Sequence, residues 1–149
     1  MPLILKDFQE QVCAGIVARL ANVRALYSQL GAVAEAHQSQ AQTLVRNRDG
    51  ALVLQAPTGA GKTVIAIEAM RRASESERVL WFWFAPFSGL VEQSRAVLAA
   101  QAPELALLDL GSDRNLDAVR GGGVFVTTWA SVAARSSASV LDALTALGA

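Results

Sequence analysis

The 149-residue chain has the length of one domain, and 52% hydrophobic residues supply enough apolar material for a packed core rather than a disordered tail. Its 13 Lys plus Arg and 13 Asp plus Glu cancel, so no global field draws it onto a polyanion or an anionic membrane, and any such grip must be local. The single Cys13 excludes an internal disulfide, MPLILKDFQEQ meets charge too early for a signal peptide, and the longest apolar run, 79–87, is too short to cross a bilayer. The expectation is a soluble protein of a reducing, cytoplasmic compartment with no membrane partner.

Leu5, Phe8, Val12, Ile16, Leu20 and Val23 recur at steps of three and four and predict an amphipathic helix. After a short break Leu26, Leu30, Val33, His37, Ala41 and Leu44 repeat the pattern, with Gly31 as an interruption. The polar turn Asn47-Arg48-Asp49-Gly50 separates this helical region, 1–50, from a second one, 51–149. In the second, short apolar runs alternate with helical patterns: strand 51–55, helix from Lys62, strand 78–84, helix 89–101, strand 105–110 and strand 124–128. Such alternation implies crossover units on a parallel sheet between helices, an α/β fold. In VLWFWFA, Val79, Trp81 and Trp83 point to one face and Leu80, Phe82 and Phe84 to the other, which predicts a central strand covered on both sides. Core packing is a commoner fate than base stacking for Trp81 and Trp83 in such a strand. Cys13 is expected as a small buried hydrophobe, and His37 as a partly buried residue rather than a ligand.

Ala56-Pro57-Thr58-Gly59-Ala60-Gly61-Lys62-Thr63 fits the phosphate-loop pattern, with Ala in the first position where Gly is commoner. Gly59 and Gly61 can take backbone angles closed to other residues, turning successive N–H groups around a phosphate, and the following helix adds its positive N-terminal dipole. Lys62 would reach the β- and γ-phosphates of ATP, and the Thr63 hydroxyl would help hold Mg²⁺. The bland alternative is a glycine turn beside a surface lysine. A strand immediately before the pattern and a helix immediately after it argue against coincidence.

QAPTGAGKT resembles motif I of superfamily 2 helicases and translocases. Upstream, LKDFQEQ resembles the segment that precedes motif I in the type III restriction enzyme and UvrB-like branch, and that similarity implies that Gln9 reads the adenine edge. A glutamine amide offers both a donor and an acceptor for the task; the alternative is a solvated residue on a helix. FAPFSGLVEQ resembles motif Ia, with Pro86, Leu90 and Gln93 on matching positions and Ser88 as a candidate helix cap beside a nucleic-acid phosphate. Many relatives carry a basic residue about where Phe87, Ser88 and Gly89 stand, so less charge is available for such a contact here. VFVTTWASVA resembles the segment after motif Ia, with Thr127 and Thr128 at a strand end, where hydroxyls can meet backbone oxygens and where threonine also simply favours strands. The resemblance implies a RecA-like phosphate-loop NTPase domain, preceded by helices, that binds ATP and Mg²⁺ and contacts nucleic acid, DNA above RNA, through its backbone.

Hydrolysis in that family needs an Asp-Glu pair at a strand end. Asp109, Asp113, Asp117 and Asp142 follow the motif Ia segment, and none precedes a Glu. The chain is therefore expected to be the front part of an ATP-dependent translocase of restriction or repair type. Its sheet would be incomplete at the C-terminus, its second RecA-like domain or partner subunit would lie elsewhere, and it would be inactive as an ATPase alone. Two alternatives stay open: a non-hydrolysing nucleotide- or DNA-binding module that completes a partner chain, and a small phosphate-loop kinase. The kinase's Gly-x-x-Gly-x-Gly-Lys loop and arginine-rich lid are not visible.

Overall fold

Helix α1 (Asp7–Leu30) opens with acidic Asp7 and Glu10 in its first turn, where they complement the helix dipole, and with a side chain folded back on its own start. The Gln9 Oε1 accepts the Lys6 backbone N–H at 2.9 Å, satisfying a donor that the helix itself leaves unpaired. The computed structural model describes residues 4–108 and 121–134. Asp109, Asp113, Asp117, Asp142, the end of the strand expected over 105–110 and the helical pattern LDALTALGA all lie outside the described residues. The chain forms two compact units, Met1–Ala73 and Ser74–Ala149.

In the first unit, α1 runs unbroken through the gap expected between Val23 and Leu26, because Arg24 and Ala25 are good helix formers. It stops at Gly31, and α2 (Glu35–Asp49) follows. Arg19 ties the two helices together, donating to the Arg48 carbonyl at 3.2 Å and pairing with the Asp49 carboxylate at 3.0 Å. No residue of α2 is buried, and His37 is exposed, contrary to the expectation from its apolar stripe. Leu44 on the same stripe is exposed as well, while Leu26, Leu30, Val33 and Ala41 are partly covered. Helix α3 (Lys62–Glu75) supplies most of the core. Its Ile65 and Ala69 close on Cys13 of α1, with Leu5, Val12, Ile16, Val17 and Leu54 around them. Burying a side chain such as Ile65 contributes roughly 2 kcal/mol.

Residues 51–57 are not a strand. The run Ala51-Leu52-Val53-Leu54-Gln55 has the composition of one, but a strand exists only as part of a hydrogen-bonded ladder, and among the described residues none pairs with it. Val53 is accordingly 90% exposed, while Leu54 alone of the run turns into the α1–α3 core.

The second unit is a parallel three-stranded open sheet. Strands β1 (Leu80–Ala85) and β2 (Leu107–Leu108) both pair with β3 (Gly123–Thr128), in the order β1-β3-β2. The aromatic strand expected at the centre is at the edge of the described sheet, and β3, buried along its whole length, is central. Register sets Leu80 beside Gly123 and Ala85 beside Thr128. Helix α4 (Ser88–Gln101) makes the crossover between β1 and β2, burying Leu98, and α5 (Trp129–Ala134) leaves the end of β3. Phe82 stacks on Phe125 at 5.3 Å between ring centres, with Leu80 and Leu108 completing that core. Trp81 is half-buried and donates its indole N–H to the Ser74 hydroxyl at 2.9 Å, which fits a packing role.

Glu68 is an acid in an apolar helix face, only 4% exposed, and an unpaired charge there would be costly. Arg71 grips it with two hydrogen bonds of 2.8 Å, and Arg72 adds one of 2.7 Å from Nε. The far edge of the Arg72 guanidinium holds the Glu10 carboxylate of α1, from Nη2 to Oε2 at 2.7 Å and from Nη1 to Oε1. The Arg71 hydrogen bonds chiefly, with those of Arg72, hold the Glu68 carboxyl down to about 2 from an ordinary 4.5, against the upward push of burial. The Arg72 hydrogen bond likewise lowers Glu10, and Glu10 first and Glu68 second raise Arg72.

Two outcomes are expected. Gly123 has φ +149°, and a Cβ there would stand 2.6 Å from the Ala106 carbonyl, the acceptor of the first β2–β3 ladder bond from the Val124 N–H. Gly123→Ala should therefore cost about 1–3 kcal/mol in chemical denaturation. For Glu68, whose folded carboxyl binds its proton more weakly than the unfolded one, the stabilisation is complete above pH 4.5 and drains away as pH falls from 4.5 towards 2. Glu68→Gln should lower stability at neutral pH by about 2 kcal/mol and flatten the melting temperature across that acid window. Thermal melts of both proteins over the pH series check it.

Candidate functional site

Between Leu54 and the first turn of α3 the chain makes a tight loop closed by a hydrogen bond from the Ala60 N–H to the Pro57 carbonyl at 3.2 Å. Pro57, Thr58 and Gly59 are exposed on it, and Gly59 and Gly61 hold φ angles of +82° and +81°, open to glycine and strained for other residues. Gly61 is constrained twice over, because a Cβ there would lie 2.5 Å from Gln9 Nε2.

That contact is the centre of the site. Gln9 is buried, not a solvated helix residue, and its Nε2 donates to the Ala60 carbonyl at 3.0 Å while its Oε1 accepts from Lys6. In a planar trans peptide the carbonyl and the following N–H point in opposite directions. Pinning the Ala60 carbonyl to Gln9 therefore fixes the Gly61 N–H to the side away from α1.

Helix α3 begins at Lys62, and the Ile65 N–H to Gly61 carbonyl bond, 2.9 Å, is the first of its ladder. The N–H groups of residues 62–64 precede that bond and are left for an external acceptor. No acid stands in this first turn to compete for them or to oppose the dipole. The Lys62 ammonium donates to the Ala56 and Pro57 carbonyls at 2.8 and 3.0 Å, so it lies over the loop rather than out in solvent. Thr63 is exposed beside it. This donor set of first-turn amides, one ammonium and one hydroxyl fits a phosphate chain. It fits Mg²⁺ only in the mode where phosphates supply most of the ligands, with Thr63 adding one oxygen, and no cluster of His, Cys, Asp or Glu that could hold a metal occurs among the described residues.

The structure thus brings Gln9, Pro57, Thr58, Gly59, Ala60, Gly61, Lys62 and Thr63 together in the first unit. The remaining candidates belong to the second, at the carboxyl ends of β1 and β3. Pro86, Ser88 and Gln93 are exposed. Ser88 is not the helix cap: Phe87, with extended φ −144° and ψ 161°, occupies that position and offers no side-chain bond. Thr127 and Thr128 are buried, and the Thr128 hydroxyl accepts the Ser131 N–H at 3.1 Å, with the Ser131 hydroxyl 2.9 Å away, capping α5. Trp129 stacks flat on Phe84, 3.8 Å between ring centres, and is 65% exposed.

Sequence reasoning missed the Glu10, Glu68, Arg71 and Arg72 chain and the bond from Gln9 to the loop. The available signal was Glu68 standing on an otherwise apolar face of α3 with two arginines three and four residues on. Its link to α1 spans 62 positions and has no local trace.

No described helix is long and apolar enough to cross a membrane. Searches among curated proteins and among solved structures return no significant match. The profile of the family described as type III restriction enzyme, res subunit, matches residues 3–142. With nearly all of its length matched, the chain belongs to the type III restriction enzyme res-subunit family, and its fold is that family's helicase-like ATP-binding domain in part.

Proposed function

We propose that the first unit binds ATP with Mg²⁺, phosphates on the loop 57–63 and adenine against Gln9, and that the protein serves nucleic-acid translocation of the restriction or repair type. The observation that carries this is the Gln9 amide buried against the glycine loop. A glutamine amide has two N–H donors and two acceptor lone pairs. One of each is committed, to Ala60 and Lys6. One donor and one acceptor remain, the pair that an adenine edge takes from a glutamine through N6 and N7. Guanine presents O6 where adenine presents N6, which supports a preference for ATP.

Lys62 supplies the charge for the phosphates, exchanging its neutral carbonyl partners for charged oxygens, which make stronger bonds. Thr63 is assigned to Mg²⁺. For nucleic acid, the exposed Pro86, Ser88 and Gln93 at the start of α4 are the proposed contacts, with DNA favoured and Thr127 and Thr128 shaping the strand end beside them. Thr128 acts there as the cap of α5 rather than as a free hydroxyl. Thr127, buried in β3, keeps its proposed contact with a backbone oxygen. The second reading, a binding module that completes a partner chain without hydrolysing ATP, is favoured by one feature: no Asp is followed by Glu anywhere in the 149 residues.

Lys62→Ala should reduce ATP–Mg²⁺ affinity by about a hundredfold and leave the melting temperature unchanged, because the ammonium donates only to two exposed loop carbonyls. Equilibrium titration checks it, and equal affinity for both proteins would overturn the assignment of the loop. The chain alone should release no phosphate in a steady-state assay, since no Asp-Glu pair to orient the attacking water occurs in its 149 residues. Lys62-dependent turnover would show that the chain carries its own hydrolytic machinery.

A further inference from the structure

Gln9 and Glu10 are neighbours in the first turn of α1, so their side chains leave the helix about 100° apart. One goes to the loop, the other to α3. With the Gln9 bond alone, α1 could roll about its axis and swing the amide off Ala60. A second anchor in the same turn, at a different angle, removes that rotation. The anchor is rigid because the Arg72 guanidinium is a planar fork held on both sides, by Glu10 on α1 and by the buried Glu68 on its own helix. Arg71 in turn keeps Glu68 from following Arg72.

We propose that Arg72 is a positioning residue for base selection: held by Glu68, it fixes Glu10 and so keeps the Gln9 amide at the angle at which its remaining donor and acceptor meet the purine edge. Arg72 touches no nucleotide. The proposal rests on Gln9 reading the base.

The test is equilibrium binding of ATP and of GTP, each with Mg²⁺, to the full chain and to Glu10→Ala, Arg72→Gln, their double variant and Gln9→Ala. Glu10 is 49% exposed in its side chain, so Glu10→Ala leaves the core in place even if Arg72→Gln folds poorly. Each single variant should lower the preference for ATP over GTP by about tenfold, and the double variant should lower it no further than either alone. A merely structural bridge would weaken both nucleotides alike, leaving the ratio at its wild-type value. That result, with Gln9→Ala still abolishing the preference, overturns the positioning role and leaves the base reading intact. If Gln9→Ala itself keeps the preference, the base reading falls and the positioning role falls with it.

Discussion

The hydrogen bond from the Gln9 amide to the Ala60 carbonyl sets the geometry of the first unit. It crosses 51 positions of sequence and joins the start of α1 to a loop whose backbone angles only glycine takes easily. The loop cannot slide without breaking it, and Gly61 cannot gain a side chain without colliding with it. Around this bond the unit has two further attachments between α1 and α3. The apolar one, through Cys13, Ile65 and Ala69, sets the distance between the helices, and the ionic one, through Glu10 and Arg72, sets the rotation. Apolar contact is non-directional and cannot do the second task. A bidentate pair can.

The ionic chain also shows why a buried acid is tolerated on α3. Taking Glu68 out of water is unfavourable, and two guanidiniums meeting one carboxylate would leave an excess of positive charge. Glu10 adds a second acid, so that acids and bases alternate along Arg71, Glu68, Arg72 and Glu10. Arg71 and Arg72 keep roughly a quarter to a third of their side-chain surface in water, which softens the desolvation of the bases while the acid between them stays dry. Net stabilisation from such pairs is modest. Their value lies in direction, because each guanidinium donates to its partner only in its own plane.

Sequence alone showed the elements set by local chemistry. The glycine loop, the helix after it, the aromatic strand and the crossover helix all stand within two residues of where periodicity and turn signals put them. What failed depended on partners remote in sequence. The run 51–55 has the residues of a buried strand, yet composition cannot supply a neighbouring strand, and all of the segment but Leu54 is exposed. His37 and Leu44 lie on a stripe that reads as a core face, yet periodicity does not say whether anything packs on it. The aromatic strand was expected at the centre because both its faces are apolar, but lateral order depends on crossovers, and β3 holds the centre instead. At the site, residue types were legible from the loop pattern. The contact between Gln9 and the loop was not, since nothing in LKDFQEQ encodes the distance to Ala60.

The loop so assembled has one fixed wall and one exchangeable wall. On the fixed side, Gln9 spends two hydrogen bonds on the protein, and its neighbour Glu10 is held by Arg72, the anchor proposed above to orient the amide. On the exchangeable side, Lys62 rests on two neutral carbonyls at an exposed surface. These satisfy the ammonium cheaply and are readily outcompeted by a phosphate oxygen, whose full charge makes a stronger bond than a carbonyl dipole. For the nucleotide binding proposed above, this division separates two requirements. Selection among bases needs a rigid partner, because mismatch is penalised only when the amide cannot turn to relieve it. Phosphate capture needs a mobile one, because a lysine ammonium on four methylenes can follow the charge along the phosphate chain. The trans peptide between Ala60 and Gly61 connects the walls: its carbonyl belongs to the rigid side, and its N–H, directed oppositely, belongs to the face that would receive phosphate. In the nucleotide binding proposed above, this one peptide plane would couple the choice of base to the shape of the phosphate cradle.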